Sequence, residues 1–349
     1  MRYKRGMYGG AFDPLHIGHL NCMIRAAAQC EELYIVLSYS RKRDRIPMEY
    51  RYRWICNSLK HMDHVRIITL EDNEASKDDY DSQDAWERGR DYVLSRIGHE
   101  VDVVFCGSDY RGSRRYEELY HCPAVYFDRA EIPVSSMEIF EDPFRYWEFI
   151  PAVARPYFVK KVLLIGGEST GKSTLARNLA LVYNTNFLQE VGREVCDYAG
   201  GIEEMMVEED FHQILLQHKL QEMEAVRSSN KLLFVDTDAL ITKFFSHFLF
   251  TDPGILKRND DLANAIAAIN HFDLILFLEP TVAFVQDGTR NERLLEDRTG
   301  YSQQIKKLFD ELGFRYYCID GDYEQRFLSA RELIRKVLGL PADPAFSGS

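Results

Sequence analysis

Short apolar runs of β character recur along the chain, each followed by a glycine-rich or polar turn and then a stretch with apolar residues three and four apart. That alternation predicts parallel α/β sheets. In the first part, strands are expected at residues 5–8, in LYIVLSY from Leu33, in VDVVFCGSDY up to Gly107 and in AVYFD, with helices from the turn at His16 to Cys30 and from Trp86 to Ile97. In the second part the expected strands are KVLLI from Lys161, NFLQE, KLLFVDTDALIT, FDLILFLEP and RYYCID. A helix ends near Tyr183, a long one covers 203–227, and the last ends near Leu338. Met205, Met206, Phe211, Ile214 and Leu215 fall at helical spacing and read as a core face.

Two strand series in 349 residues are too much for one core and predict two domains. The expected division is 1–140, a junction at 141–160 rich in proline and aromatic residues, 161–340, and a disordered tail at 341–349. The junction is too apolar for a flexible linker and is expected to pack between the domains. Net charge of −12 speaks against general affinity for nucleic acid or anionic membrane. No apolar run reaches membrane-spanning length and the N-terminus lacks the apolar core of a signal peptide, so a cytoplasmic location is expected. The seven cysteines form no C-x-x-C pair and read as thiols of a reducing compartment. Assembly into homo-oligomers stays open.

The most specific chemistry lies in KVLLIGGESTGKSTLA, a strand, a glycine turn and a helix start carrying G-x-x-x-x-G-K-S at Gly166, Gly171, Lys172 and Ser173. Backbone N–H groups of Gly166, Gly167, Glu168, Ser169, Thr170 and Gly171 can turn around phosphate oxygens at a helix N-terminus. Lys172 reaches the β- and γ-phosphates, Ser173 ligates Mg²⁺, and Thr174 follows in the first turn. The alternative is a glycine turn without ligand. Ordinary glycine usage makes the full pattern rare by chance, so ATP or GTP binding is expected. Asp236 ends the strand KLLFVDTDALIT, where a carboxylate holds Mg²⁺ beside such a loop. Asp238 either caps the next helix or holds a ribose hydroxyl.

In the first domain the turn after the opening strand reads GGAFDPLHIGH, with Gly9 and Gly10 at the strand end. Gly10, Phe12, Asp13, Pro14, His16, Gly18 and His19 resemble the G-x-F-D-P-x-H-x-G-H signature of the nucleotidyltransferase superfamily. His16 and His19 are three apart at a helix start and share a face, from which both can donate to phosphate. Two ordinary histidines near a turn are the bland alternative. Gly107 stands at a further strand end. Trp86 is either a packing residue or an aromatic face for a heterocycle. Arg41, Arg43, Arg45, Arg51 and Arg53 form either a solvated basic face or a phosphate site. The superfamily also carries a late S-x-T-x-x-R turn that binds the ATP phosphates. Here Ser135 is present, but Met137 holds the threonine position and Phe140 that of the arginine. Arg129 or an arginine of the 41–53 run could compensate.

The segments PFRYWEFIP, ARPYFVK and GGESTGKS closely resemble the join in NadR-type proteins, which combine nicotinamide-nucleotide adenylyltransferase and ribosylnicotinamide kinase. Some relatives begin with a DNA-binding helix-turn-helix; here the first strand opens the sequence, and no repressor module is expected. The resemblance implies Glu190 or Glu194 as the group accepting the substrate hydroxyl proton, with Arg193 beside them in the G-R-E turn. An acidic pair favoured by the helix dipole is the alternative. It also implies a lid carrying Gly288, Arg290, Arg293 and Arg298; a salt-bridged surface helix would carry the same residues. The implied fold is a Rossmann-like nucleotidyltransferase followed by a P-loop kinase. The implied function is phosphorylation of nicotinamide riboside by ATP with Mg²⁺, then adenylyl transfer from ATP to the mononucleotide, giving NAD. Two alternatives remain: a kinase whose first domain senses nucleotides, and a coenzyme A synthase-like fusion of adenylyltransferase and kinase.

Overall fold

The computed structural model describes residues 2–340 apart from 75, 77, 78, 80 and 286–296. The expected tail at 341–349 and Gly288, Arg290 and Arg293 of the expected lid lie outside the described residues. The chain divides between Arg155 and Pro156 into two compact units.

The first unit runs β1 (Tyr3–Gly10), α1 (Ile17–Ala27), β2 (Cys30–Tyr39), α2 (Met48–Leu59), β3 (Val65–Glu71), α3 (Gln83–Ile97), β4 (Val103–Gly107), α4 (Arg115–Tyr120), β5 (Ala124–Phe127) and α5 (Ser136–Glu141). Its five strands are parallel in the order β3-β2-β1-β4-β5. The chain steps outward from β1 to β3 and then returns to place β4 on the other side of β1. That reversal opens a crevice at the carboxyl ends of β1 and β4, the usual ligand position of such sheets. Gly6 keeps β1 close to its neighbours, since a Cβ there would stand 2.4 Å from Cys30 Sγ and 2.7 Å from Phe105. Strand β3 was not expected from the sequence. It is an edge strand whose residues are all partly exposed, so its pattern carries little contrast.

The second unit runs β6 (Lys160–Ile165), α6 (Lys172–Val182), β7 (Asn186–Leu188), α7 (Val191–Tyr198), α8 (Glu208–Ser228), β8 (Leu232–Asp236), α9 (Ala239–Leu249), α10 (Pro253–Ile269), β9 (Leu274–Leu278), α11 (Arg298–Glu311), β10 (Tyr317–Ile319) and α12 (Tyr323–Leu338). The parallel order is β10-β9-β6-β8-β7. Strands β8 and β9 are buried at every residue, which is why they read as unbroken apolar runs. Their side chains pack with Ala176 and Leu179 of α6 and with Ala330 and Ile334 of α12.

One expected core position is corrected. Met205 is 61% exposed, because α8 begins only at Glu208 and Met205 lies in a separate short turn ahead of it. Phe211, Ile214 and Leu215 are buried as expected. Among the described residues no helix is long and apolar enough to cross a membrane.

Two candidate active sites

In the first unit, β1 ends on Gly9 and Gly10 at the crevice. Gly10 must lack a side chain, since a Cβ would stand 2.8 Å from the Phe12 ring. Phe12, buried at φ 52°, fills the turn between Tyr8 and His19, with ring centroids 5.8 and 5.0 Å away. His16 caps α1 and His19 lies in its first turn; their rings stack at 3.6 Å with planes 26° apart. The shared face expected from their spacing is present. Gly18 is needed beneath them, as its Cβ would stand 3.0 Å from the His16 ring.

Both imidazoles are held neutral. Burial, and then the positive charge of Arg129, push His16 down to about 4. Burial, His16 and Arg129 hold His19 well below its ordinary value. The backbone N–H of His16 donates to His19 Nδ1 at 3.4 Å, which leaves the proton of neutral His19 on Nε2. Nδ1 of His16 is buried with no hydrogen-bond partner among the described residues. A polar atom left in that state is costly unless a ligand engages it.

The depressed pKa of His16 predicts acid sensitivity. Between its ordinary 6.5 and about 4, the unfolded chain binds a proton that the folded chain refuses. Stability therefore falls as pH drops through that window, by about 3 kcal/mol in total for this group. Denaturant unfolding followed from pH 7 to 4 checks this. His16→Asn is expected to flatten that part of the curve, and an unchanged slope in the variant counts against the assignment.

The arginine run is divided in its use. Arg41 pairs with Glu71 at 3.2 Å and Arg43 with Asp72. Arg51 is fully buried, paired with Asp44 and donating to the Ala11 carbonyl at 2.6 Å. Asp13 accepts from the backbone N–H groups of Arg45 at 2.9 Å and Ile46 at 3.0 Å, so the H-x-G-H turn is tied to the loop after β2. At the end of β4, Arg129 pairs with Asp109 at 3.0 Å, and a Cβ on Gly107 would collide with both side chains. Ser135 caps α5 in a reciprocal pair with Glu138: its hydroxyl donates at 2.7 Å and accepts from the Glu138 N–H at 3.2 Å. Trp86 makes packing contacts, with Tyr116 5.3 Å away and the Arg115 guanidinium 4.1 Å above its ring.

In the second unit the loop after β6 has the dihedrals its glycines permit. Gly166 adopts φ 145°, and a Cβ there would stand 2.6 Å from the Leu278 carbonyl oxygen; Gly171 adopts φ 87° at the cap of α6. Lys172 Nζ and Thr170 Oγ1 donate to the Gly167 carbonyl at 3.0 and 2.8 Å. Ser173 donates to the buried Asp236 carboxylate at 2.5 Å, so the start of α6 and the end of β8 bring together the hydroxyl and the carboxylate expected to hold Mg²⁺. This oxygen pair suits Mg²⁺, which takes few protein ligands and completes its shell with water and phosphate. Among the described residues no group of three or more His, Cys, Asp or Glu side chains is arranged to hold a metal ion.

Beside the loop lies a cavity of about 240 Å³ lined by residues 168–174, Glu190, Arg193, Phe211, His218, Asp238 and Phe245, among others. Burial raises the Glu190 carboxyl above its usual range, opposed by Lys172, reinforced by Asp236 and opposed by Arg193. Asp238 caps α9 by accepting from Leu240 N–H at 3.2 Å and Ile241 N–H at 3.4 Å. Burial pushes it up to about 7 against those two bonds. Glu194 is exposed in the first turn of α7 and does not line the cavity, a correction to its expected substrate contact. Arg298 donates to the carbonyls of Ser169 at 3.2 Å and Val282 at 2.9 Å, which places it on the phosphate loop.

Sequence reasoning missed two residues here. Arg326 of α12 is fully buried and donates to the carbonyls of Thr170, Glu279 and Gly321 and to the Thr281 hydroxyl, bracing the phosphate loop from behind. His218 of α8 lies on the cavity wall, with Nε2 buried and without a hydrogen-bond partner among the described residues. Its signal was available, since it continues the buried stripe of Phe211, Ile214 and Leu215. Those same positions also changed meaning, as Met206, Phe211 and Ile214 line the cavity while contributing to the core.

Comparison with known proteins agrees with this geometry. A cytidylyltransferase-like family matches residues 7–142 and an AAA domain family matches 161–326. The trifunctional NAD biosynthesis/regulator protein NadR of Escherichia coli (strain K12) is 31% identical over 350 residues, covering 96% of this chain and 83% of that protein. A NadR protein solved in complex with NR superposes with a TM-score of 0.82 at 22% identity, covering 98% of both chains. A NadR protein solved with NAD and AMP-PNP superposes with a TM-score of 0.81 at the same identity and coverage. Matched over 96% of its length, the chain belongs to the NadR family.

Proposed function

We propose that this chain makes NAD from nicotinamide riboside in two ATP-dependent steps, one in each unit. The observation that carries the reading is the pairing of two different phosphate chemistries in one chain. One is a phosphate loop opening on a cavity with a carboxylate in its wall; the other is a stacked pair of neutral imidazoles at a sheet crevice. Family membership over 96% of the chain supports this over a coenzyme A fusion.

In the second unit the riboside occupies the cavity, and its 5′-hydroxyl oxygen attacks the γ-phosphorus of ATP. The hydroxyl proton passes to Glu190 as the bond to the ADP leaving group breaks. Lys172, Arg193 and Arg298 offset the charge on the transferring group, and the backbone from Gly166 to Gly171 holds the phosphates. Ser173 and Asp236 would hold Mg²⁺, which would supply positive charge to offset that of the phosphate oxygens. Asp238 orients α9 at the cavity rim, where its carboxyl meets a ribose hydroxyl.

In the first unit the phosphate of the mononucleotide attacks the α-phosphorus of a second ATP, and pyrophosphate leaves. No protein group is covalently modified, so catalysis rests on position and charge. His16 and His19 donate to phosphate oxygens, the glycines at 9, 10, 18 and 107 let the nucleotide approach the backbone, and Ser135 fixes the start of α5. A cytoplasmic location is part of the proposal and rests on seven free thiols.

Product analysis with purified protein, Mg²⁺ and ATP tests the reading. Supplied with either nicotinamide riboside or nicotinamide mononucleotide, the protein is expected to yield NAD. Mononucleotide from the first substrate and nothing from the second would instead make the first unit a nucleotide sensor. The absence of product from both removes the proposal.

A further inference from the structure

The late motif of the first unit lacks its cation, and the structure shows which side chain occupies the space. Helix α5 begins against the turn after β1, where Ser136 Oγ donates to the Pro14 carbonyl at 2.9 Å. Its exposed residues include the two departures from the superfamily pattern, Met137 and Phe140. The Arg45 guanidinium lies on both. Its Nη1 is 2.9 Å from Met137 Sδ, and its central carbon is 4.4 Å from the centroid of the Phe140 ring. The Arg45 backbone is fixed at the same time, because its N–H donates to Asp13 in the H-x-G-H turn. One residue thus joins the phosphate-binding turn to the positions where a threonine and an arginine are missing.

Four of the other candidate arginines are committed elsewhere, Arg41 to Glu71, Arg43 to Asp72, Arg51 to Asp44 and Arg129 to Asp109, and Arg53 lines a separate pocket with Tyr34, Arg66 and Arg96. Among the described residues the partners of the Arg45 side chain are a thioether and an aromatic face, neither of which neutralises its charge. A cation–π contact at an exposed site is worth only about 0.5–1 kcal/mol, whereas guanidinium–phosphate bonds are charge-assisted and often bidentate. Bound triphosphate therefore outcompetes the ring for the guanidinium.

We propose that Arg45 is the ATP-triphosphate cation of the first unit, supplied from the loop after β2 in place of the motif arginine, with Met137 and Phe140 as its seat when the nucleotide is absent. The role rests on the adenylyltransferase reading above. It explains how Phe140 is accommodated: an arginine there would meet the Arg45 guanidinium with like charge, whereas a ring receives it.

The test uses the full chain with nicotinamide mononucleotide and Mg²⁺-ATP, following NAD formation as ATP is varied. Arg45→Ala is expected to raise KM for ATP at least about tenfold and to lower kcat/KM about 100-fold. Phosphorylation of nicotinamide riboside and the unfolding midpoint are expected to stay at wild-type values. Arg45→Lys keeps the charge without the fork and is expected to fall between. The decisive variant is Arg45→Ala combined with Phe140→Arg, expected to recover at least about tenfold of the loss by returning the cation to α5. Wild-type protein that makes no NAD overturns the adenylyltransferase reading itself. If wild type makes NAD and Arg45→Ala matches it, Arg45 alone is overturned. A loss that Phe140→Arg fails to recover overturns the replacement of one cation by the other.

Discussion

Replacing His16 and His19 together with alanine is expected to lower NAD formation from the mononucleotide by about 10³-fold, while phosphorylation of nicotinamide riboside by the same protein stays unchanged. In the proposed reaction each ring presents a donor to phosphate in a preorganised place, and removing one such donor commonly costs about 10²–10³ in rate. The two rings are stacked and share one oxygen-binding role, so their effects are expected to be less than multiplicative. Their neutral state matters to the mechanism. A neutral imidazole donates an N–H without bringing a charge of its own, and the positive charge felt by both rings is that of Arg129. Single replacements are expected to show most of the double effect. Retention of NAD formation within about threefold in the double variant, with its ATP affinity intact, would remove the pair from catalysis.

How far the sequence could be read depended on how each residue is used. The phosphate loop was legible because its glycines, lysine and serine answer a backbone requirement at fixed spacing, and Gly166 and Gly171 do adopt positive φ. Asp236 was legible because a buried strand cannot end on a carboxylate without a partner, and Ser173 is that partner. Glu190 and Glu194 were not separable by spacing. Four residues apart, they share a face only if both are helical, and Glu190 precedes α7 with ψ 118°, which turns it into the cavity and leaves Glu194 in solvent. The arginine run looked uniform and is not, because its partners Glu71, Asp72 and Asp44 come from other segments. Arg326 had no local signal at all. Its acceptors lie at Thr170, Glu279, Thr281 and Gly321, contacts that exist only once α12 has docked.

Glu190→Gln is expected to lower the rate of nicotinamide riboside phosphorylation by about 10²-fold or more with little change in ATP binding, because the amide keeps the shape of the side chain and cannot accept the hydroxyl proton. The environment of Glu190 suits that task. Burial raises its pKa, so that the carboxylate is a stronger base than a solvated one, while Lys172 and Arg193 keep the rise in check. The direction of the shift fixes the pH behaviour: the reaction requires the carboxylate, so kcat/KM is expected to fall as pH drops through a pKa above the usual carboxylate range. In Glu190→Gln that acid limb is expected to vanish along with most of the rate. A structural role would give a different result, since a merely shape-filling glutamate tolerates glutamine and leaves the pH profile as it was. Adenylyl transfer in the first unit serves as the internal control, and a variant that phosphorylates the riboside at the wild-type rate would show that Glu190 is not the base.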